Sequence, residues 1–202
     1  MLKRLGITRK KSLTYQEQDE KKVLKFKENL EKITEEQKER LGHPPALVYV
    51  DESAIKEEVT RVYAYATKGE IVQGKRPKKI NMVAAVSGEE MLAPFTFEGT
   101  MDSYLFNAYL CLVLLPLVAF GAIIIMDNAR YHLSEETREL IEEKGCRLIY
   151  LSPYSPELNR IEKYWGILKR YVQRFRCFFS SLEDTLFFIF NTFKPFRTLL
   201  GN

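Results

Sequence analysis

The sequence predicts an α/β fold, a mixed sheet flanked by helices, from three observations. Two short apolar runs, 46–50 and 122–126, pass without any turn residue into Asp51 and Asp127. Runs of this length and composition read as buried strands. Three further strand-like segments, 61–67, 80–87 and 91–97, follow one another closely, the last two separated only by Gly88-Glu89-Glu90. Segments in that order make an antiparallel meander. Apolar residues at spacings of three and four mark helices before and after the strands.

In chain order, residues 1–11 carry five basic residues and no acid. They read as a helix end, a stop at Gly6 and a basic linker. Residues 15–41 are highly charged, and Val23, Phe26, Leu30 and Ile33 form one apolar stripe. That stripe predicts a helix docked on the body of the protein or on a second subunit. Gly42-His43-Pro44-Pro45 ends it, because proline cannot continue a helix, and His43 is read as a loop residue. These 45 residues form a basic helical arm, and 46–202 a second unit. Residues 73–79, QGKRPKK, read as a basic loop, either a solvated hairpin tip or a phosphate contact. Asp102 is placed to cap a helix running to Leu115. Ser134 caps the next helix, which Lys144-Gly145 ends, and 147–151 is a strand. Ser155 as cap and Pro156 at the first helical position open a helix to about Arg174. Ile161, Trp165, Leu168 and Val172 are its buried stripe. A Phe-rich segment, 182–196, covers the sheet.

Composition narrows the class. The chain has 202 residues, 46% hydrophobic and 29% charged, which marks a globular protein. Its net charge of +4 lies entirely in the first 45 residues, and the remainder balances. A basic arm suits a polyanionic partner. Cys111, Cys146 and Cys177 form no CxxC pair, and two histidines offer no zinc site. The three thiols read as core residues of a reducing cytosol. No apolar stretch follows the basic start, so no signal peptide is expected. Residues 109–126 form eighteen positions without charge, near the length of a membrane span. Pro116 and Gly121 interrupt them, so they read as a helix ending near Pro116, a turn at Phe120-Gly121 and a strand.

The chain thus offers three carboxylates in related settings. Asp51 and Asp127 end strands, and Glu162 sits one residue from the centre of a buried helical stripe. In isolation Asp127 could merely cap the segment after it. Three carboxylates from two strands and a helix also suit hard divalent cations, which take oxygen ligands and keep waters and phosphate oxygens. Two such ions activate a water or 3′-hydroxyl and stabilise the leaving oxygen in phosphoryl transfer. No Ser/His/Asp triad competes, and the absence of GxxxxGK[ST] argues against an NTPase.

VYVDES at 48–53, MDNARYH at 126–132 and YSPELNRIEKYWGILKR at 154–170 resemble the motifs of bacterial insertion-sequence transposases of the mariner superfamily. The 34 residues between Asp127 and Glu162 match as well. The resemblance covers roughly 46–175. GITRKK looks like the end of that family's helix-turn-helix region, most of which the chain would lack through truncation or frameshifting. Arg160 departs from the pattern, since the family usually has Pro there. The resemblance implies an RNase H-like (retroviral-integrase-like) catalytic domain with a mixed five-stranded sheet. Asp51, Asp127 and Glu162 would carry two Mg²⁺ ions, with Mn²⁺ as a substitute. The implied reaction is cleavage of DNA at transposon ends and strand transfer. Implied partners are terminal inverted repeats, target DNA, a second copy in a synaptic complex and a separately encoded DNA-binding portion, in a bacterial cytoplasm at the nucleoid, with no membrane. An inactive remnant that only binds DNA or oligomerises, or an RNA-directed nuclease, are the competing readings. Asn128, His132 and Asn159 match motif positions near the acids, where each could contact substrate or only support the fold. Lys75, Arg76, Lys78, Lys79, Lys169 and Arg170 are candidate phosphate contacts, or solvated surface. Trp165 is expected in the core, and Glu52 to face away from Asp51, because strand side chains alternate.

Overall fold

A computed structural model describes residues 19–56, 79–194 and 196. The expected strand at 61–67, the N-terminal basic segment and most of the basic loop lie outside these residues. Helix α1 (Glu20–Leu41) precedes strands β1 (Leu47–Lys56), β2 (Lys79–Ser87) and β3 (Glu90–Phe97). Then come α2 (Ser103–Tyr109), β4 (Ile123–Met126), α3 (Glu135–Glu143), β5 (Arg147–Tyr150), α4 (Ile161–Phe175) and α5 (Leu182–Thr192). The five strands form one sheet in the order β3-β2-β1-β4-β5. β1, β2 and β3 pair antiparallel, whereas β4 runs parallel to β1 and to β5.

Both sheet faces are covered, so β4 is buried at every position and reads as an unbroken apolar run. α1, α4 and α5 pack on one face, around Tyr49, Ile125, Trp165 and Leu168. α2 and α3 pack on the other, around Val48, Val50, Ile124 and Phe106. The α1 stripe therefore docks on the protein's own sheet. Gln37 strengthens it by donating from Nε2 to the Gly121 carbonyl at 3.0 Å, and Arg40 reaches the Gly145 carbonyl at 2.9 Å.

Several expectations shift. β1 continues past Asp51 to Lys56, because β2 pairs with it along that whole length. The β2–β3 pairing is broken by a bulge between Val83 and Ala85, near Ala93 at φ +51°; an extra residue in one strand forces such a turn. Asp102 caps α2 by accepting from the Leu105 amide at 2.8 Å. After α2 the coil widens into a π turn over Leu110–Leu114 and tightens at Leu115–Leu117, where Pro116 sits. None of the described helices is long and apolar enough to cross a membrane. Of the thiols, Cys146 is buried as expected, but Cys111 and Cys177 are exposed.

Gly145 ends α3 at φ +74°, and a Cβ there would lie 2.1 Å from the Phe120 ring. Gly145→Ala is expected to cost about 1–2 kcal/mol from the left-handed backbone alone. Thermal unfolding should show the melting temperature falling by roughly 5 °C.

Candidate active site

Alternation along β1 divides its side chains between the two layers. Tyr49 joins the α4 side and Val48 and Val50 the α2 side, so Asp51 faces α4 and Glu52 faces α2. Tyr49 pairs with Ile125 in the parallel register. Extended two residues, past the end of β4, that register brings Asp51 near Asp127, whose charge acts on it. Glu162 is the second residue of α4, whose buried stripe rests on this sheet face. All three acids line one cleft of about 600 Å³, together with Asn128, Asn159, Ser152 and Tyr154.

Each carboxylate has a different environment. Asp51 accepts from the indole Nε1 of Trp165 at 3.3 Å. Burial, then the charges of Glu52, Glu162 and Asp127, push its pKa from 3.8 up to about 7. Asp127 accepts at Oδ1 from the Ala129 amide at 2.9 Å and from His132 Nδ1 at 2.8 Å. The His132 bond holds its pKa below the ordinary carboxylate range, against the opposing effect of burial. The Ala129 bond is the local turn that the sequence allows for. Yet the side chain is 49% exposed, so Asp127 both caps the turn and faces the cleft. Glu162 is exposed, further from the buried face than its spacing suggests.

The entry to α4 differs from expectation. Pro156–Leu158 form a separate 3₁₀ turn, and the α-helix starts at Ile161 with no side-chain cap from Arg160. Ser155 therefore does not cap α4, and Glu162 falls in its first turn, where the helix dipole favours a carboxylate. Arg160 instead lays its guanidinium over the Tyr49 ring, 5.6 Å from the centroid. Tyr154, exposed at the cleft, has φ +56°.

The other predicted residues fall in several places. Asn128 donates from Nδ2 to the Leu151 carbonyl at 2.7 Å, tying the ends of β4 and β5. Asn159 is buried, and neither its Oδ1 nor the Ser152 Oγ finds a hydrogen-bond partner among the described residues. His132 has no exposed side-chain surface, so its ring lies out of a substrate's reach. Lys79 is exposed at the start of β2, opposite Lys56. Lys75, Arg76 and Lys78 lie outside the described residues. Lys169 and Arg170 are exposed on α4. Lys169 is seven residues from Glu162, which places it on the same helix face about 10 Å away.

Sequence reasoning missed a polar network behind the cleft. His132 Nε2 faces Glu52 Oε1 at 3.2 Å, and Tyr131 donates its hydroxyl to Glu52 Oε2 at 2.9 Å. Tyr131 and His132 both stand in the MDNARYH motif, which was the available signal. Glu52 does face away from Asp51, but toward these partners rather than solvent. Burial, the largest single influence, pushes the imidazole pKa down. The two carboxylates outweigh it and hold the pKa at about 9, above the ordinary 6.5. Both ring nitrogens face carboxylate oxygens, so the charged imidazolium, which donates from both, is the form this pocket favours.

This arrangement has a pH signature. The His132 contribution to stability is fully present below pH 6.5 and is lost as pH rises through about 9. Asp51 adds to the same trend, because its raised pKa favours the protonated fold and that advantage disappears between pH 3.8 and about 7. Chemical denaturation should thus show stability falling by a few kcal/mol from pH 6 to pH 10, and His132→Asn should remove the upper part of that fall.

The donors in the cleft are all oxygens, which suits a hard divalent cation. Among the described residues no three carboxylate, imidazole or thiol groups are arranged to hold one ion.

Known proteins match this fold. The paired-end complex of Mos1 transposase with a left transposon end aligns with a TM-score of 0.59 at 17% identity, over 85% of this chain and 55% of that one. The Mos1 paired-end complex with Mn gives 0.56 at 19% identity, over 83% and 55%. The isolated Mos1 catalytic domain gives 0.52 at 15% identity, over 77% and 72%. These likenesses establish the RNase H-like fold expected from the motifs. In sequence, the Tc3 transposase of Caenorhabditis elegans is 46% identical over 46 residues, 23% of this chain and 14% of that protein. This chain thus spans about half the length of the Mos1 chains in the paired-end complexes and a small part of Tc3. The DDE superfamily endonuclease family matches residues 46–185, a stretch that holds all three cleft acids. By that match the chain belongs to the DDE superfamily endonucleases.

Proposed function

We propose that this chain is the catalytic portion of a mariner-superfamily transposase of the insertion-sequence type, which cuts DNA at transposon ends and joins the freed 3′-hydroxyl to target DNA. The observation that carries this reading is the meeting of Asp51, Asp127 and Glu162, from two strands and a helix, in one open cleft. Mos1, a structural neighbour, has been solved with Mg and with Mn. Bound Mg²⁺ or Mn²⁺, in a pair of ions shared by these acids, would activate the attacking oxygen and stabilise the leaving one.

The protein's own groups set the geometry. Trp165 fixes one oxygen of Asp51, and the Ala129 amide and His132 fix Oδ1 of Asp127, leaving its Oδ2 for the cleft. Burial, and after it the repulsion of neighbouring carboxylates, raises the Asp51 pKa; a cation would offset both, so the cleft is electrostatically suited to take one. Asn159 Oδ1 and Ser152 Oγ, buried without partners among the described residues, are available to hold ordered water behind the cleft wall. Lys169, exposed on the Glu162 face of α4, would meet a phosphate of the bound DNA. Recognition of terminal repeats, and synapsis with a second copy, would fall to surfaces outside this cleft, the basic arm among them.

The test is a nicking assay with DNA flanking the coding region, with Mg²⁺ or Mn²⁺, using this chain alone and joined to a helix-turn-helix portion. Nicking that depends on the metal and is lost in Asp127→Ala supports the reading. Unchanged nicking in that variant overturns the site assignment. No nicking by either form would favour a remnant that only binds DNA.

A further inference from the structure

We infer that Glu52 and His132 are positioning residues for Asp127, fixing from behind the sheet which carboxylate oxygen faces the cleft. The inference rests on the proposed metal role of Asp127. That aspartate follows the last residue of β4, Met126, whose pairing with Tyr150 ends the ladder. Beyond the ladder, an aspartate with a half-exposed side chain would rotate freely and present either oxygen. Here Oδ1 is taken twice, by the Ala129 amide and by His132 Nδ1. The His132 ring is itself fixed. Phe106 lies 4.3 Å and Tyr131 4.5 Å from it, centroid to centroid. The His132 carbonyl accepts from the Tyr150 hydroxyl on β5 at 2.8 Å. Glu52 Oε1 meets the far ring nitrogen, and Tyr131 holds the other Glu52 oxygen.

Adjacent residues of one strand thereby serve opposite faces of the sheet. Asp51 points into the cleft, and Glu52 reaches behind it to steady the second acid of the same cleft. The chain Glu52–His132–Asp127 crosses from β1 to the end of β4, so the two cleft aspartates are fixed by two links, backbone pairing and this relay. Groups that orient metal-binding carboxylates typically change metal affinity or activity by 10–100-fold when altered.

The test is isothermal titration of the full 202-residue chain with Mn²⁺, alongside thermal unfolding without metal. Wild type, Asp127→Ala, Glu52→Gln, His132→Asn and the Glu52→Gln/His132→Asn double variant are compared. Glu52→Gln keeps the side-chain shape and an acceptor for Tyr131, so it carries the test even if His132→Asn does not fold. Each single variant should weaken Mn²⁺ binding ten- to hundredfold, and the double variant no more than the weaker single one, because both break the same link. In cleavage assays the loss should fall on kcat, with DNA affinity unchanged. Wild-type Mn²⁺ affinity in a folded Glu52→Gln overturns the inference. So do additive losses in the double variant, which would make Glu52 a direct ligand. Absent Mn²⁺ binding in wild type, or unaltered binding in Asp127→Ala, instead overturns the metal role of the cleft and the inference with it.

Discussion

Asp51→Asn is expected to abolish metal-dependent DNA cleavage while making the metal-free protein more stable above neutral pH. The two effects have one cause. Asp51 is pushed up to about pH 7 by burial and by the charges of Glu52, Glu162 and Asp127. Keeping it ionised in the fold therefore costs free energy that a bound cation returns. An amide keeps an acceptor for the Trp165 indole but removes both the cost and the ligand. Loss of one ion's contribution to phosphoryl transfer removes several kcal/mol of transition-state stabilisation, roughly a thousandfold or more in rate. Denaturation at pH 8 should show the variant unfolding later than wild type without metal, and Mn²⁺ should stabilise only the wild type. A variant that cuts DNA at the wild-type rate would show that Asp51 is not part of the machinery.

The second large effect is on stability. Trp165→Ala should destabilise the protein by about 3–5 kcal/mol, the usual cost of emptying a large aromatic site. Trp165 is 1% exposed, in the core between α4 and the sheet. Since a domain of this size has only about 5–15 kcal/mol in hand, a fall in melting temperature of roughly 10 °C is expected. Trp165→Phe separates packing from hydrogen bonding: it restores most of the volume but leaves Asp51 without its indole donor. Stability in Trp165→Phe should recover by more than half, while Mn²⁺ affinity stays reduced. Full recovery of affinity would reduce Trp165 to a packing residue.

The reach of the sequence follows from the range of the forces involved. Alternation and helical spacing are local, and they located β1, β4 and β5, the α1 stripe and the buried residues of α4. Short-range hydrogen bonds are local too: Asp102 and Ser134 cap their helices as their spacing predicts. The candidate acids were legible because an apolar run passing into Asp, and a Glu at the edge of a helical stripe, are patterns along the chain, although β1 itself runs on past Asp51. The entry to α4 was not, because Ser155 and Pro156 favour a turn without deciding which kind. The bulge at Ala93 was hidden for a similar reason: alanine carries no signal for a positive φ.

What the sequence determined by itself was the fold class, the family motifs and the three carboxylates they contain. Tertiary structure alone decided how those carboxylates differ. The register between β1 and β4 brings Asp51 near Asp127, and burial then raises the pKa of the first while the His132 hydrogen bond lowers that of the second. Tertiary structure also decided the tasks of Glu52 and His132. They are 80 positions apart, and no spacing rule connects residues so distant. They meet because covering both faces of the sheet encloses one imidazole where two carboxylates are the acceptors within reach. A buried imidazole must satisfy both nitrogens, and that requirement joins the motif behind the cleft to the acid inside it.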